Sequence, residues 1–194
     1  MPSPFSHAAA SVALGKAYTI EKMPWHFWAL TITCAVLADV DILGSHLGIG
    51  FWGMFGHRGI THSIVFAALL GLAATELFCR TAEVGIRKRS LFCYFFLVAA
   101  SHGILDALVD GVQGVAFLAP FNAMRYFLPW RPIHSSPIGM GFFGSQGVTV
   151  ILNELCWVWA PSAAIILARL LFQRYLAAKN SANLSELSVE TTSY

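Results

Sequence analysis

Charged side chains are scarce in this chain of 194 residues. Asp, Glu, Lys and Arg together make up 11% of the sequence, whereas hydrophobic residues make up 57%. A soluble domain carries about 25% charged residues, so this deficit argues against an ordinary water-facing surface. The formal net charge of +2 gives no support for a nucleic-acid partner. We therefore predict an integral membrane protein whose main partner is the lipid bilayer.

Paired cysteine motifs are absent as well. The four cysteines stand singly inside apolar runs without CxxC spacing, at Cys34, Cys79, Cys93 and Cys156. This pattern argues against a disulfide framework or a thiolate metal site, and favours small buried hydrophobic side chains. The first residues lack the basic start and the Ala-x-Ala ending of a cleaved signal peptide, so we expect them to be retained.

Long apolar runs are plentiful, and they predict membrane helices. A bilayer-spanning helix takes about 20 residues, and the runs at 25–43, 63–78, 91–118 and 148–172 are candidates. A shorter run at 5–20 predicts a first helix that packs against the others. The predicted fold class is all-α, a polytopic integral membrane bundle of four or five helices with a structured irregular outer loop. Residues 1–178 would form one domain, and residues 179–194 a polar, disordered tail.

The basic residues predict the orientation of this bundle, because positive charge marks the cytoplasmic side. They cluster before the first long run, between the second and third, and after the last, at Lys16, Lys22, Arg80, Arg87, Lys88, Arg89, Arg169, Arg174 and Lys179. All three clusters fall on one side if the runs alternate. We therefore predict a cytoplasmic C-terminus, with the connections at 44–61 and 110–147 on the outer side.

Ionisable residues within or beside the apolar runs converge on that outer side. Such groups are rare in membrane segments and mark function by default. Asp39 and Asp41 end one run, while His57 and His62 precede the next, where Thr61 is the predicted N-cap. The remaining members are His7, His102, Asp106, Asp110 and Glu154. Imidazole together with carboxylate suits Zn²⁺, with Mn²⁺ or Fe²⁺ as alternatives, and so many groups allow one or two ions.

The spacing of these residues suits metal binding. His102 and Asp106 are i,i+4 and share one helix face, and Asp110 would continue that stripe by one turn. Asp39 and Asp41 are i,i+2 and cannot share a helical face. One of the two would bind metal while the other orients a histidine.

The stretch PFNAMRYFLPWRPIHSSPIGMGFFG, residues 120–144, contains prolines and glycines that argue against a spanning helix. We predict an outer loop over the polar cluster, in which Arg125, Arg131 and His134 bind an anionic substrate. Guanidinium groups match phosphate bidentately. The alternative is an interfacial anchor whose arginines contact lipid head groups. For Arg58, pairing with a site carboxylate and contact with substrate both remain open.

Several motifs together resemble a known family. DVD before a glycine-rich loop, FGHRGITHS, SHGILD followed by DGV and APF, RYFLPWRPIHSSPIG and NELCWVW resemble the bacterial inner-membrane-associated metal-dependent hydrolases, from residue 7 to about residue 161. The resemblance implies metal-dependent hydrolysis without naming a substrate. Carried over by motif, it implies a metal site formed by Asp39, Asp41, His57, His62, His102 and Asp106, with His7 in the shorter N-terminal match.

The residues and the resemblance together predict a multi-pass hydrolase of the bacterial inner membrane, with its metal site near the outer leaflet. A metal-activated water would attack an ester or phosphoester, in a lipid or lipid-linked substrate. Asp39 or Asp41 would act as general base, and Glu154 as a ligand or an acid/base group. The alternative is a metal-ion carrier that uses the same cluster for transport, and a third hypothesis is a scaffold with a structural metal. The sequence gives no indication of oligomeric state.

Overall fold

The computed structural model describes residues 1–19, 22–81, 86–137 and 139–192, without the side chains at 46, 139, 140 and 181–192. Its α-helices are α1 Pro4–Tyr18, α2 Trp25–Val36, α3 Ile42–His46, α4 Ile64–Thr81, α5 Lys88–Ala107, α6 Ser145–Glu154 and α7 Ala160–Thr192. Short 3-10 turns lie at Leu37–Asp41, Ile60–His62 and Gly139–Phe143. Within the described ranges the extended contacts are isolated bridges, one of which joins Val109 to Ile133.

Four helical stretches of the described residues are long and apolar enough to cross a membrane. They are Trp25–Ser45, Ile64–Thr81, Lys88–Ala107 and Ser145–Asn180, and they correspond to the four predicted runs. The prediction of an all-α membrane bundle is confirmed. Helix α1 has 15 residues, a length of about 22 Å at 1.5 Å per residue. It packs against α2, α5 and α7, as the fifth helix of the bundle.

Helix α5 ends earlier than the apolar run that predicted it. The run continues to residue 118, but the helix stops at Ala107. The last carbonyls of α5 accept hydrogen bonds from loop amides where a longer helix would have supplied its own N–H groups. Leu128 N–H donates to the Ala107 carbonyl and Ile133 N–H to the Leu108 carbonyl. These bonds satisfy carbonyls that a helix end leaves without partners. The predicted span of residues 91–118 is therefore wrong in its second half.

The last candidate span contains a π-helical turn. Residues Leu155–Trp159 join α6 to α7, and Ala160 N–H donates to the carbonyl of Leu155, five residues back. A π turn inserts one extra residue into the helical repeat. Side chains five positions apart, such as Glu154 and Trp159, thereby come to face the same neighbour, α1.

An apolar core fills the bundle below the polar cluster. Phe27, Phe78 and Phe95 are fully buried in it and contact one another at ring-centroid distances of 5.7–6.3 Å. Helices α4 and α5 approach closely at Gly71, where an added Cβ would lie 2.7 Å from Phe96 N. Of the cysteines, Cys34 is buried in this core.

Two predictions about peripheral residues have different outcomes. Cys79, Cys93 and Cys156 are free and exposed on the bundle surface, so the prediction of buried side chains is wrong for these three. Their runs are apolar because the surface of the spans is apolar. Helix α7 continues to Thr192, and the division into a domain at 1–178 and a disordered tail at 179–194 stays a prediction.

Candidate metal centre

Three parts of the chain bring ionisable side chains to one end of the bundle. The 3-10 turn after α2 carries Asp39 and Asp41, and the loop before α4 carries His57 and His62. The last two turns of α5 carry His102 and Asp106. Donor atoms of Asp39, His62, His102 and Asp106 all lie within 4.8 Å of one another. We call these four residues the ligand cluster.

The backbone of α2 orients His102. Its Nδ1–H donates to the Ala35 carbonyl at 2.6 Å. This bond leaves Nε2 as the nitrogen with a free lone pair, which is the arrangement that fixes a metal-binding histidine. His102 Nε2 lies 3.3 Å from Asp39 Oδ1 and 3.0 Å from His62 Nε2. Its lone pair therefore faces the centre of the cluster.

Asp41 supports the cluster from outside by accepting several bonds. One oxygen accepts from His57 Nδ1 at 2.8 Å. The other lies 3.2 Å from His62 Nδ1 and accepts from Thr61 Oγ1 at 2.5 Å and from Arg58 N–H at 3.2 Å. Holding His62 at Nδ1 turns its Nε2 towards Asp106, 3.2 Å away. The geometry distinguishes the two carboxylates: Asp39 faces the cluster centre and Asp41 orients histidines.

The donor set fits a divalent cation. Both oxygens of Asp39 and of Asp106 are buried without a hydrogen-bond partner among the described residues. Buried carboxylate oxygens are costly unless they are compensated, and two imidazole nitrogens with two carboxylates form a usual set for zinc or manganese. Asp41, His57 and His62 form a second group within 4.8 Å. Because its members already bond to one another, this group fits support of the ligand cluster better than a second ion.

His7 lies at the edge of the ligand cluster. Its ring stacks on that of His102 with centroids 3.8 Å apart, and its Nε2 lies 3.8 Å from Asp106 Oδ1. Both ring nitrogens are buried without a hydrogen-bond partner among the described residues. Helix α1 thus brings a further candidate ligand to the site.

Arg58 pairs with a carboxylate of the site. Its Nε lies 3.1 Å from Asp106 Oδ2, its Nη1 donates to the Gln113 carbonyl, and its side chain is 3% exposed. The backbone has φ +58°, a region that non-glycine residues rarely occupy. The next residue, Gly59, sits so close to the Met54 carbonyl that a Cβ would clash with it. Of the two possibilities left open for Arg58, carboxylate pairing is the one its contacts favour.

Glu154 lies apart from the ligand cluster and anchors α1. Its carboxylate is buried and accepts from Ser3 N–H at 2.5 Å, from Ser3 Oγ at 2.5 Å and from Ser6 Oγ at 2.7 Å. Ser6 also accepts from Trp159 Nε1 at 2.9 Å. All of its described hydrogen bonds go to α1 and the residue before it. This arrangement makes Glu154 a positioning residue for the helix that carries His7.

Replacing Glu154 by Gln is expected to lower the free energy of unfolding by about 3 kcal/mol, because hydrogen bonds to a buried charged group are lost. Thermal unfolding in detergent measures the change. Glu76→Gln is the matched control, since Glu76 bonds to Lys88 on the exposed surface and such pairs contribute at most about 1 kcal/mol. Equal effects of the two substitutions would contradict the anchoring role.

Asp110 and His134 pair with each other outside the cluster. His134 Nδ1 lies 2.7 Å from Asp110 Oδ2, and both side chains are more than 40% exposed. Burial raises the pKa of Asp110, but His134 and the Ser135 amide outweigh it and hold this pKa below its usual value. Asp110 follows the end of α5, so the prediction that it continues the helical stripe is wrong.

The loop arginines bind backbone carbonyls. Arg125 donates to the carbonyls of His57, Gly114, Trp52 and Gly53 at 3.0–3.2 Å. Arg131 donates to Gly111 at 3.3 Å and lies over the Phe127 ring. Gln113, which no sequence signal marked, donates to the His57 carbonyl at 2.7 Å and is buried. Arg125 and Gln113 thus hold the loop after α5 against the residues that precede α4, while Arg131 bonds within the loop after α5.

The chain matches known proteins over most of its length. The profile of the YdjM inner membrane protein family matches residues 1–180, which include every residue of the site. The chain belongs to this family. It is also 32% identical, over 169 residues, to inner membrane protein YbcI of Escherichia coli (strain K12), covering 86% of this chain and 95% of the relative. No solved structure matches it.

Membership of the YdjM family confirms the family prediction made from the motifs. With the four candidate spans, it supports an inner-membrane protein. The family description and the relative's name state a location and no reaction. The chemistry of the site therefore has to be argued from its geometry.

Proton competition at His62 predicts a pH-dependent metal affinity. Burial lowers the pKa of His62, but Asp106, Asp39 and Asp41 outweigh it and hold this pKa well above 6.5. A pKa held above its usual value means that protons compete with a metal for the nitrogens of His62. Metal affinity should fall as pH falls, by up to about tenfold per unit. Calorimetry in buffers of different ionisation enthalpy counts the released protons, and a count of zero would contradict this.

Proposed function

We propose that the protein is a membrane-embedded metal-dependent hydrolase that holds zinc in the ligand cluster. The observation that carries the proposal is the convergence of the Asp39 and Asp106 carboxylates on two histidine nitrogens, where Arg58, 3.1 Å from Asp106 Oδ2, supplies one positive charge for two carboxylates. When bound, a divalent cation would lower the pKa of water and polarise the bond to be cleaved. Asp39, His62, His102 and Asp106 would hold it, with His7 at the edge.

His57 is the residue best placed to move a proton. Asp41 holds its Nδ1 at 2.8 Å, so its Nε2 is left to accept a proton. This is the way a carboxylate fixes the tautomer of a catalytic histidine. His57 lies outside the ligand cluster and lines a cavity beside it. We therefore assign the base role to His57 in place of Asp39 or Asp41, and the positioning role to Glu154.

The cavity limits what the substrate can be. It has a volume of about 140 Å³ and is lined by His57, Arg58 and Gln113 with Met1, Phe51 and Ser135. Cavities that enclose drug-sized ligands are about 300 Å³ or more, so this one fits a small polar group with the rest of the substrate outside. In a membrane bundle, an ester or phosphoester of a lipid or lipid-linked molecule has that shape. Arg131 and His134, both exposed, would contact its anionic part.

The alternative of a metal-ion carrier has less support. Below the ligand cluster the described interior is filled by the apolar core, including Phe27, Phe78 and Phe95, where a carrier needs a polar path. A purely structural metal is also less well supported, because a cavity borders the site. By the charge bias of the connections, we propose that the metal centre faces the outer side and that the C-terminus is cytoplasmic.

The first test is the metal content of the detergent-purified full chain. We expect about one equivalent of zinc per chain. The control variant His26→Ala/His134→Ala should retain it, and His62→Ala/His102→Ala should lose it while remaining equally well folded. Short-chain phospholipids and nitrophenyl esters would then be screened for hydrolysis. Absence of metal after reconstitution would contradict the metal centre. Metal without hydrolysis, but with zinc uptake into proteoliposomes, would favour the carrier.

A further inference from the structure

A second cavity lies at the other end of the bundle, between α1, α2 and α7, with a volume of about 440 Å³. Lys16 and Thr19 at the end of α1 line it, together with Trp28 of α2 and Arg169 of α7. Lys16 is nine residues after His7 on α1, which is about 14 Å along the helix axis. The cavity is thus separate from the metal centre, and the hydrolase proposal does not use it.

The described lining of the cavity is cationic. Lys16, Lys22 and Arg169 line it, and the described residues around it include no carboxylate. Lys16 Nζ lies 4.7 Å from the centroid of the Trp28 ring, so the Lys16 side chain is held across the cavity wall. Three positive charges without a described acidic partner predict an anionic ligand.

The Arg169 guanidinium has N–H groups that are not satisfied by described residues. Its Nη2 reaches the Thr19 carbonyl only at 3.5 Å, and its Nε is buried without a hydrogen-bond partner among the described residues. A buried guanidinium N–H without an acceptor is costly. Guanidinium forks fit phosphate oxygens bidentately, so a phosphate in the cavity would satisfy both the geometry and the charge.

The same cavity has an apolar side. Met23, Ile166 and Leu170 form this side together with Trp28, while Gln173 adds a polar group to the lining. Ile166 and Leu170 belong to the candidate span Ser145–Asn180. A soluble anion would leave this surface unused, whereas acyl chains could lie along α7. Basic pockets between membrane helices are a known type of site for anionic lipid head groups. We propose that this cavity binds an anionic phospholipid, with its phosphate between Lys16 and Arg169.

Native mass spectrometry of the full chain in detergent tests the proposal. Titration with dioleoyl phosphatidylglycerol should give tighter binding than titration with dioleoyl phosphatidylcholine, which has the same chains. Each basic residue contributes about fivefold in affinity, so Lys16→Gln/Arg169→Gln should weaken phosphatidylglycerol binding about 25-fold. Phosphatidylcholine binding should weaken less, because the choline cation offsets the charge of its phosphate.

The matched control is Arg87→Gln/Arg89→Gln, which removes the same charge from exposed positions and should change affinity by less than about threefold. Lys16→Arg/Arg169→Lys keeps the charge and should keep binding, which guards against a variant that fails to fold. Equal weakening by both glutamine pairs, or equal affinity for the two lipids, would overturn the proposal. If inorganic phosphate or glycerol 3-phosphate binds with the same affinity as phosphatidylglycerol, the cavity is a site for a soluble anion. That result would also overturn the proposal.

Discussion

Asp39→Asn is expected to lower metal affinity by at least about 100-fold, because loss of a supporting residue alone costs 10–100-fold and Asp39 is placed as a ligand. Its oxygens accept no hydrogen bond from described residues, so the amide should leave the fold intact. Metal titration of the purified variant, with its thermal unfolding alongside, measures both effects.

Asp106→Asn is the informative comparison. It should lose metal affinity to a similar extent, and should also lower the free energy of unfolding by about 3–5 kcal/mol. The extra loss arises because Arg58, 3.1 Å away and buried, is left without its counter-charge. If the two variants unfold alike, the Arg58–Asp106 pair does not support the fold as its contacts indicate. If both keep their metal, the ligand assignment is wrong.

His57→Ala is expected to reduce the hydrolytic rate by about 10²–10⁴-fold, the usual contribution of a positioned general base. Its metal content should stay unchanged, because His57 lies outside the ligand cluster. His134→Ala is the matched control: His134 pairs with Asp110 on the surface, and we expect less than about a tenfold change, as for a residue that only contacts substrate. Loss of metal from His57→Ala would make His57 a ligand and contradict its role as base.

The sequence predicted most of the helical architecture, because apolar run length is a local property. It missed the end of α5, although Gly111 and Gly114 are local signals for a helix end. Backbone bonds of residues 108–118 instead go to a loop further along the chain, as between Leu108 and Ile133, which are 25 residues apart. The N-cap of α4 was misplaced by two residues. Ser63 caps the helix through Phe66 N–H, while Thr61 Oγ1 donates to Asp41.

The site was predictable in its members and less so in their roles. The i,i+4 spacing of His102 and Asp106, and the free-energy cost of burying a charged side chain, are enough to identify these two residues. Nothing local shows that His102 is held by the Ala35 carbonyl, or that Glu154 bonds to Ser3, 151 positions earlier in the chain. Such roles depend on contacts between helices remote in sequence. Gln113 was missed for the same reason.

The π turn at Leu155–Trp159 sets the rotational phase between α6 and α7. One residue advances an α-helix by about 100° and 1.5 Å. Deleting one residue from this turn while Glu154 stays on Ser3 would rotate all of α7, and would carry both Trp159 and Arg169 away from α1. Because of this single added residue, one long helical stretch contacts α1 twice. The first contact is at Glu154, beside the metal centre, and the second is at Arg169, 15 residues later, at the cationic cavity.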